Sequence, residues 1–164
     1  MKQLFLAMIL LLPVALHGQK KVTIKDMQFS YELKGTTIEI ELNAPTLGWV
    51  GVGFNDHNSI VNSDLYLLRV KKSKVEGLDM FVVSAGNPKE DIELRGSNNI
   101  EVIEGSESSG STRIKFSVPM DSKDPNDYKH KLNQDFWLIL AYSQSDDFDH
   151  HSIMRKHIKY RFTR

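Results

Sequence analysis

The sequence contains no cysteine among its 164 residues. This absence excludes disulfide bonds, cysteine-ligated zinc, iron–sulfur centres, covalently attached c-type haem and a lipid anchor on cysteine. A single domain of this length can bury a sizeable hydrophobic core. Packing alone therefore has to stabilise the fold.

An excess of charge of one sign is also missing, because 21 lysines and arginines balance 21 aspartates and glutamates. A chain without net charge has no long-range attraction to nucleic acids or to anionic membranes. We therefore expect no nucleic-acid partner.

Long apolar runs are absent except near the N-terminus, where Leu4 to Leu16 follows the positively charged Lys2. The run is shorter than the roughly 20 residues that a membrane-spanning helix needs. This layout is typical of a secretory signal peptide, although an N-terminal anchor helix is the alternative. We expect residues 1–19 to be a signal peptide and residues 20–164 to form a secreted or periplasmic domain without a membrane span.

No segment has the periodicity of a long amphipathic helix, whereas short alternating or apolar segments between turns predict β-strands. About nine to eleven strands in an all-β, immunoglobulin-like antiparallel sandwich are expected. We expect a loop at residues 122–133 and a flexible hairpin tip at residues 104–111. Nine strands can be placed, at residues 29–33, 38–42, 49–54, 64–70, 79–85, 100–103, 113–118, 136–142 and 157–162.

Two polar segments follow strongly apolar strands, and loops held by a rigid sandwich commonly carry binding groups. The first covers residues 55–64, NDHNSIVNSD, and the second covers residues 146–157, DDFDHHSIMRKH. Gly51 and Gly53, in the WVGVGF strand before the first segment, leave room for a ligand or another backbone to approach.

Read in order, these segments resemble the DOMON domain family. The resemblance is carried by GWVGVGFN, a short loop, NSDLYLL, AGNPKED, KFSVP, FWLILAYS and FDHHSIMR, over roughly residues 22–163. It implies two stacked sheets with a ligand pocket at one end. In the cytochrome members, this pocket holds b-type haem between a methionine from the loop before the Asp-headed strand and a histidine from the late loop. In other members, the pocket is suggested to hold sugar.

The resemblance places the histidine ligand of haem at His151, with His150 as the alternative. The methionine ligand would lie four residues before Asp64, where the sequence has Ile60. An aliphatic side chain cannot bind iron, so His57 is the candidate substitute. Ligation of b-type haem iron by His151 and His57 is chemically suitable, because imidazole nitrogen binds iron well.

Met154, Arg155 and Trp49 complete the candidate cofactor-binding residues. Met154 is a weaker iron ligand, because it lies too near His151 in the chain for both to reach opposite faces of one porphyrin. Arg155 could pair with a haem propionate or a sugar hydroxyl, or form a salt bridge with a nearby aspartate. Trp49 and Trp137 are expected in the core, with a pocket wall or a sugar-stacking platform as the alternative.

Aspartates of the second segment are candidate metal ligands, whereas common catalytic motifs are absent. Asp146, Asp147 and Asp149 offer oxygen ligands for Ca²⁺, but they lack the regular spacing of calcium loops. Asp64 is expected to anchor a turn. The sequence has neither G-x-S-x-G nor H-E-x-x-H, and we expect no catalytic activity.

Three functions remain open from the sequence. The first is non-covalent binding of haem b for electron transfer or redox sensing, with Trp49, Phe54 and Leu65 as apolar walls and a separate redox partner protein. The second is a module that binds carbohydrate or another small molecule without haem. The third is a structural or partner-binding domain.

Overall fold

A computed structural model describes residues 19–164 of the chain. Residues 1–18 of the predicted signal peptide, which was expected at residues 1–19, therefore lie outside the described residues. Within the described part, no helix is long and apolar enough to cross a lipid bilayer.

Eleven strands and one short 3-10 helix form the described chain, which confirms the predicted all-β fold. Residues 122–133 form no strand, as predicted. The 3-10 helix covers Asp91–Leu94 between β7 and β8. The strands are β1 (Lys20–Ile24), β2 (Met27–Lys34), β3 (Thr37–Ala44), β4 (Val50–Asn55), β5 (Asp64–Lys71), β6 (Lys74–Ser84), β7 (Asn87–Glu90), β8 (Glu101–Ser108), β9 (Ser111–Pro119), β10 (Asp135–Tyr142) and β11 (Met154–Arg161).

The strands form two antiparallel sheets with a shared core. The five-stranded sheet has the order β1-β2-β3-β9-β8, and the six-stranded sheet has the order β11-β10-β4-β5-β6-β7. Side chains of alternate residues point into the space between the sheets. Phe29 pairs with Leu42, which pairs with Ile114, and all three are fully buried in the core.

The central strands of the six-stranded sheet are buried on both faces. All six residues of β4 are buried, as are the first five residues of β5. Alternate residues of a strand point to opposite faces, so this sheet buries side chains on its outer face as well as against the other sheet. The loops at the ends of the strands cover this outer face.

Two strands were not predicted from the sequence, and both lie at sheet edges. β1 contains only two apolar residues, and its exposed positions alternate with half-buried ones. β7 has no apolar residue and includes Pro88, which a sheet edge tolerates because an edge strand leaves half of its backbone groups unpaired. The predicted hairpin tip at residues 104–111 is shorter than expected, because β8 continues to Ser108.

A buried histidine that the sequence did not single out lies among core aromatic rings. The ring centroid of His130 lies 4.5 Å from that of Phe54 and 5.4 Å from that of Phe162. Neither ring nitrogen has a hydrogen-bond partner among the described residues. Burial lowers the pKa of His130 to about 3, so its neutral form is the stable one in the folded protein.

We expect His130 to make the fold sensitive to acid. Its pKa is lower in the folded than in the unfolded chain, so its contribution to stability is complete above about pH 6.5 and is lost as the pH falls toward 3. Relative to His130→Leu, the wild-type free energy of unfolding should fall by about 1.4 kcal/mol per pH unit below about pH 6.5. Urea denaturation between pH 7 and pH 4 measures this. His57→Leu, which changes an exposed histidine, is the control, and parallel curves for wild type and His130→Leu would contradict the account.

Candidate functional site

An apolar cluster covers the outer face of the six-stranded sheet. In β5, Leu65 and Leu67 point outward, whereas Tyr66 and Leu68 point into the core between the sheets. Partly buried Ile60, Leu78 and Phe148 pack against the cluster. We call it the outer patch, and its buried members are Trp49, Leu65, Leu67, Met80, Val82 and Ala141.

Gly51 and Gly53 are the outward-facing residues of β4 beneath this patch. A Cβ atom at Gly51 would lie 2.6 Å from Cδ2 of Leu67, and one at Gly53 would lie 3.4 Å from Cδ1 of Leu65. The two leucines therefore lean across the bare backbone of β4. The space that the glycines were expected to leave for a ligand is filled by side chains of the neighbouring strand.

The two loops predicted to carry the ligands leave opposite ends of this sheet. Val50 pairs with Tyr142, and Asn55 pairs with Trp137, so β4 and β10 run antiparallel. The β4–β5 loop (residues 56–63) and the β10–β11 loop (residues 143–153) are therefore separated at their roots by the length of β4, about 17 Å. The loops that carry His57 and His151 therefore do not begin at the same end of the sandwich, where the resemblance places the ligand pocket.

The β10–β11 loop is fixed against the outer patch at one end. The indole Nε1 of Trp49 donates to the carbonyl of His150 at 3.1 Å. Arg69 donates to the carbonyl of Asp146 at 2.6 Å, and its guanidinium carbon lies 4.3 Å from the ring centroid of Phe148. Trp49 is only 5 % exposed, and its indole N–H holds the loop in place.

The β4–β5 loop is fixed at the other end. The side-chain amide of Asn55 donates to the carbonyls of Ser59 and Val61 at 2.8 and 2.9 Å. Asn58 Oδ1 lies 3.1 Å from Nδ1 of His157, on the outward face of β11. These contacts turn Ile60 toward the outer patch, and both loops therefore border the same face of the sheet.

A half-buried tryptophan lies beside the β4–β5 loop. Trp137 points outward from β10, between Asn55 of β4 and Lys159 of β11. It is not part of the core, so the expectation of a core tryptophan is wrong at this position. Its indole nitrogen has no hydrogen-bond partner within residues 19–164. The sequence left two alternatives to a core position, a pocket wall and a platform for stacking sugar rings. The platform requires a partly exposed indole such as that of Trp137.

Comparison with known proteins agrees with this architecture. Residues 23–143 match the family described as the DOMON domain. The chain belongs to the DOMON family.

Curated relatives contain this DOMON domain as a small part of a longer chain. The mouse protein named DBH-like monooxygenase protein 2 is 29 % identical over 122 residues, which are 74 % of this chain and 19 % of the relative. Its human counterpart, named Putative DBH-like monooxygenase protein 2, is 32 % identical over 121 residues, which are 73 % and 23 % of the two chains. The chain thus spans about a fifth of these relatives, and their names describe the longer proteins.

Solved structures of DOMON cytochromes have the same fold. The cytochrome domain of Myriococcum thermophilum cellobiose dehydrogenase superposes with a TM-score of 0.60 at 10 % identity, covering 88 % of this chain and 82 % of that one. The cytochrome b domain of pyranose dehydrogenase from Coprinopsis cinerea gives a TM-score of 0.54 at 11 % identity, covering 83 % and 75 %. At these identities the likeness establishes the fold alone.

The side chains of this DOMON domain do not fit the axial pair of a haem. Ile60 packs on the outer patch, where the family resemblance calls for a methionine thioether. His57, His150 and His151 are exposed on their loops, and the loops begin at opposite ends of the sheet. Buried side chains of the outer patch fill the face between them.

Two further candidate haem contacts lie on the wrong face of the sheet. Met154 and Phe54 are buried in the core between the two sheets rather than in the outer patch. Trp49 and Leu65 point to the opposite face, into the outer patch. Phe54 therefore cannot form a wall, and Met154 cannot act as a ligand, in a haem site on the outer face. Arg155 is exposed on β11 opposite Ala141, and it forms no ion pair with Asp146, Asp147 or Asp149 among the described residues.

A group of buried aspartates at one end of the sandwich was missed by sequence reasoning. Burial raises the pKa of Asp79 to about 7 and that of Asp91 to about 8. Burial, followed by the charge of Asp79, raises the pKa of Asp64 well above its usual value. These aspartates are separated in sequence by strands and turns, so no local motif marks them.

The exposed aspartates of the β10–β11 loop have a different role. Asp147 Oδ1 accepts a hydrogen bond from the backbone N–H of Asp149 at 3.1 Å, which stabilises a turn. Both residues are exposed, and they belong to no cluster of metal-binding side chains within residues 19–164. The alternative of a calcium site in this loop therefore has no support in the structure.

We expect Gly48→Ala to destabilise the protein by loosening the β10–β11 loop. A Cβ atom at this position would lie 2.5 Å from the Ser145 nitrogen and 2.6 Å from the Ser143 carbonyl oxygen, so the backbone of the loop would have to move. The expected cost is about 1–3 kcal/mol, measured by urea denaturation. Leu47→Ala, at the exposed neighbouring residue, should cost less than about 0.5 kcal/mol. A Gly48→Ala protein as stable as wild type would contradict the close contact.

Proposed function

We propose that this DOMON domain is an exported carbohydrate-binding module without catalytic activity, and that it binds its ligand on the outer face of the six-stranded sheet. The observation that carries the proposal is the half-buried, outward-facing Trp137 beside a loop-anchored histidine. Export is supported by the signal-peptide pattern of residues 1–19.

Trp137 supplies the apolar surface for a sugar ring. An indole face is large and rigid, and an aromatic side chain loses little conformational freedom when it packs against a ligand. The strand pairs place Trp137 next to Lys159 and Asn55, which carry hydrogen-bonding groups at the edges of such a platform. A flat apolar surface bordered by polar groups complements a pyranose ring, which has an apolar face and polar edges.

His157 supplies a directional hydrogen bond beside this platform. Burial, followed by the charge of Arg155, lowers the pKa of His157, so the neutral imidazole predominates at pH 7. Its Nδ1 lies 3.1 Å from Asn58 Oδ1, which orients the ring and leaves Nε2 to interact with a hydroxyl group. A neutral imidazole whose ring is already fixed loses little entropy when a ligand binds.

Haem b remains the second candidate ligand, with a separate redox partner protein. It is favoured by His151, which is exposed on the loop that borders the apolar outer patch, and by the shared fold with the cytochrome domains. Against it stands Ile60 in place of the second ligand. Carbohydrate binding requires no change in the outer patch, whereas haem would have to displace its buried side chains.

We expect Trp137→Ala to weaken polysaccharide binding by about tenfold, because it removes the stacking surface. The measurement is affinity electrophoresis of the purified protein in gels containing soluble plant, fungal or bacterial polysaccharides. Ile153→Ala is the matched control, because Ile153 is 51 % exposed but lies in the other loop. Retardation of wild type and Trp137→Ala to the same extent, or no retardation by any polysaccharide, would contradict the proposal.

We expect purified protein mixed with hemin to keep the absorption spectrum of free hemin, because the described side chains offer no second axial ligand opposite His151. A sharpened Soret band that His151→Ala abolishes would instead establish haem binding. That result would also require the outer patch to open. The carbohydrate proposal would then stand only if Trp137→Ala still impaired sugar binding.

A further inference from the structure

Four aspartates converge at one end of the sandwich, at some distance in sequence from one another. Asp64 begins β5, Asp79 lies in β6, Asp91 begins the 3-10 helix and Asp127 lies in the β9–β10 loop. We call them the aspartate cluster. Asp64 and Asp79 are each 2 % exposed and Asp91 is 1 % exposed, while Asp127 is half-buried.

The carboxylate oxygens of this cluster have the spacing of metal ligands. One oxygen from each of Asp64, Asp79 and Asp127 lies within 4.8 Å of the others, and a second such group joins Asp127 to Asp91 and Asp124. Ligands that each lie about 2.3–2.6 Å from a calcium ion are separated from one another by up to about 5 Å.

Three of the carboxylates are oriented through one oxygen. Asp64 Oδ2 accepts from the Tyr66 hydroxyl at 3.0 Å and from the Tyr128 backbone N–H at 2.9 Å. Asp79 Oδ2 accepts from the backbone N–H of Asn99 at 2.7 Å, and the Asn99 side chain donates to Asp127 Oδ2 at 2.8 Å. Such donors hold a carboxylate in position, as the hydrogen-bonding groups behind metal ligands do.

Two of the buried carboxylates each leave one oxygen without a partner. Oδ1 of Asp64 and Oδ1 of Asp79 accept no hydrogen bond from any donor within residues 19–164. The carboxyl groups of Asp91 and Asp127 lie within hydrogen-bonding range of each other. No lysine or arginine forms an ion pair with these four residues in the same range. Burying an unpaired carboxylate costs free energy. A cation or protons, which no described lysine or arginine replaces, therefore have to neutralise these groups.

We propose that the aspartate cluster binds one Ca²⁺ ion, with Asp64, Asp79 and Asp127 as ligands and Asp91 beside Asp127. The donors are all oxygen atoms, which selects a hard cation. Several carboxylates in a buried site favour Ca²⁺ over Mg²⁺, because Mg²⁺ usually keeps several water molecules. The alternative is that protons shared between the carboxyl groups take the place of the ion.

A cleft gives an ion access to the cluster. Asp64 and Asp127 line a cavity of about 280 Å³, together with Asn126 and Tyr128 of the β9–β10 loop. The ion would thus connect β5 and β6 of the sheet to this otherwise irregular loop. Its predicted effect is to stabilise the fold at the end of the sandwich opposite to the loop that carries His151.

Terbium luminescence tests the site directly on the wild-type protein. Tb³⁺ replaces Ca²⁺ at oxygen sites and is excited through a nearby tyrosine, and the Tyr66 hydroxyl lies 3.0 Å from Asp64 Oδ2. We expect saturable emission with one Tb³⁺ per chain, which added Ca²⁺ displaces. Absence of sensitised emission, or emission that excess Ca²⁺ leaves unchanged, would overturn the proposal.

Variants locate the site and separate calcium from shared protons. Asp79→Asn and Asp127→Asn should each weaken Ca²⁺ binding at least tenfold in calorimetry at pH 7.5. Asp147→Asn, in the exposed acidic loop, should bind as wild type does. If Asp147→Asn removes binding and the other two keep it, the ion binds elsewhere and the assignment is wrong.

Thermal unfolding gives a readout that does not depend on variants. Wild type stripped with EDTA should gain roughly 5–10 °C in Tm with millimolar Ca²⁺, because the ion binds only the folded chain. Mg²⁺ at the same concentration should give a smaller shift. A Tm unaffected by Ca²⁺ would indicate shared protons instead of an ion, and an equal shift with Mg²⁺ would overturn the assignment to a calcium-sized ion.

Discussion

The six-stranded sheet has to cover both of its faces, and the rest of the molecule is arranged around that requirement. One face packs against the five-stranded sheet to form the main core. The other carries a second apolar cluster, which no third sheet within residues 19–164 covers. The β4–β5 and β10–β11 loops fold back over it instead, and Trp49, Arg69 and Asn55 hold them there through hydrogen bonds to loop carbonyls. The loops that border the candidate site therefore also help to bury the apolar side chains of the outer patch.

Strand alternation places two chemically different clusters of side chains on the same strand. In β5, Asp64 and Tyr66 point inward to the end of the sandwich, whereas Leu65 and Leu67 point outward to the outer patch. A shift of one residue in the pairing of β5 would exchange the two sets, which would bury leucines among aspartates and expose the carboxylates beneath the loops. The register of β4, β5 and β6 therefore fixes the positions of both clusters together.

Local patterns in the sequence were sufficient for the fold but not for the sites. Alternation such as Ile38, Ile40 and Leu42 marks a half-buried strand without any knowledge of its neighbours, so the sandwich could be predicted. The edge strands β1 and β7 could not be, because their pairing depends on a neighbouring strand rather than on burial of their own side chains. The same limit applies to Asp79 and Asp127, which meet only after β6, β9 and the intervening loops have packed.

The position of the histidines shows why a family pattern did not reveal how the candidate ligands lie relative to one another. The resemblance placed His151 in the β10–β11 loop, and His57 of the β4–β5 loop was the substitute for its methionine, but the pattern contained no information about which end of the sheet each loop leaves. The antiparallel pairing of β4 with β10 decides that. Trp137 was assigned to the core because it lies in an apolar strand, and only the two-sided burial of that strand shows that its odd-numbered residues point away from the core.

The glycine pair in β4 determines how the outer face can change. Above Gly51 and Gly53, the backbone of β4 is covered by the tips of Leu67 and Leu65, with Trp49 and Ile139 beside them. Because the two glycines contribute no side chains of their own, the depth of this surface depends mainly on Leu65 and Leu67 of β5. Smaller residues at those two positions would open a trough floored by bare peptide groups, and larger ones would close it, while the hydrogen bonds of the sheet stay as they are. A scaffold of this kind can acquire or lose a binding groove through very few substitutions.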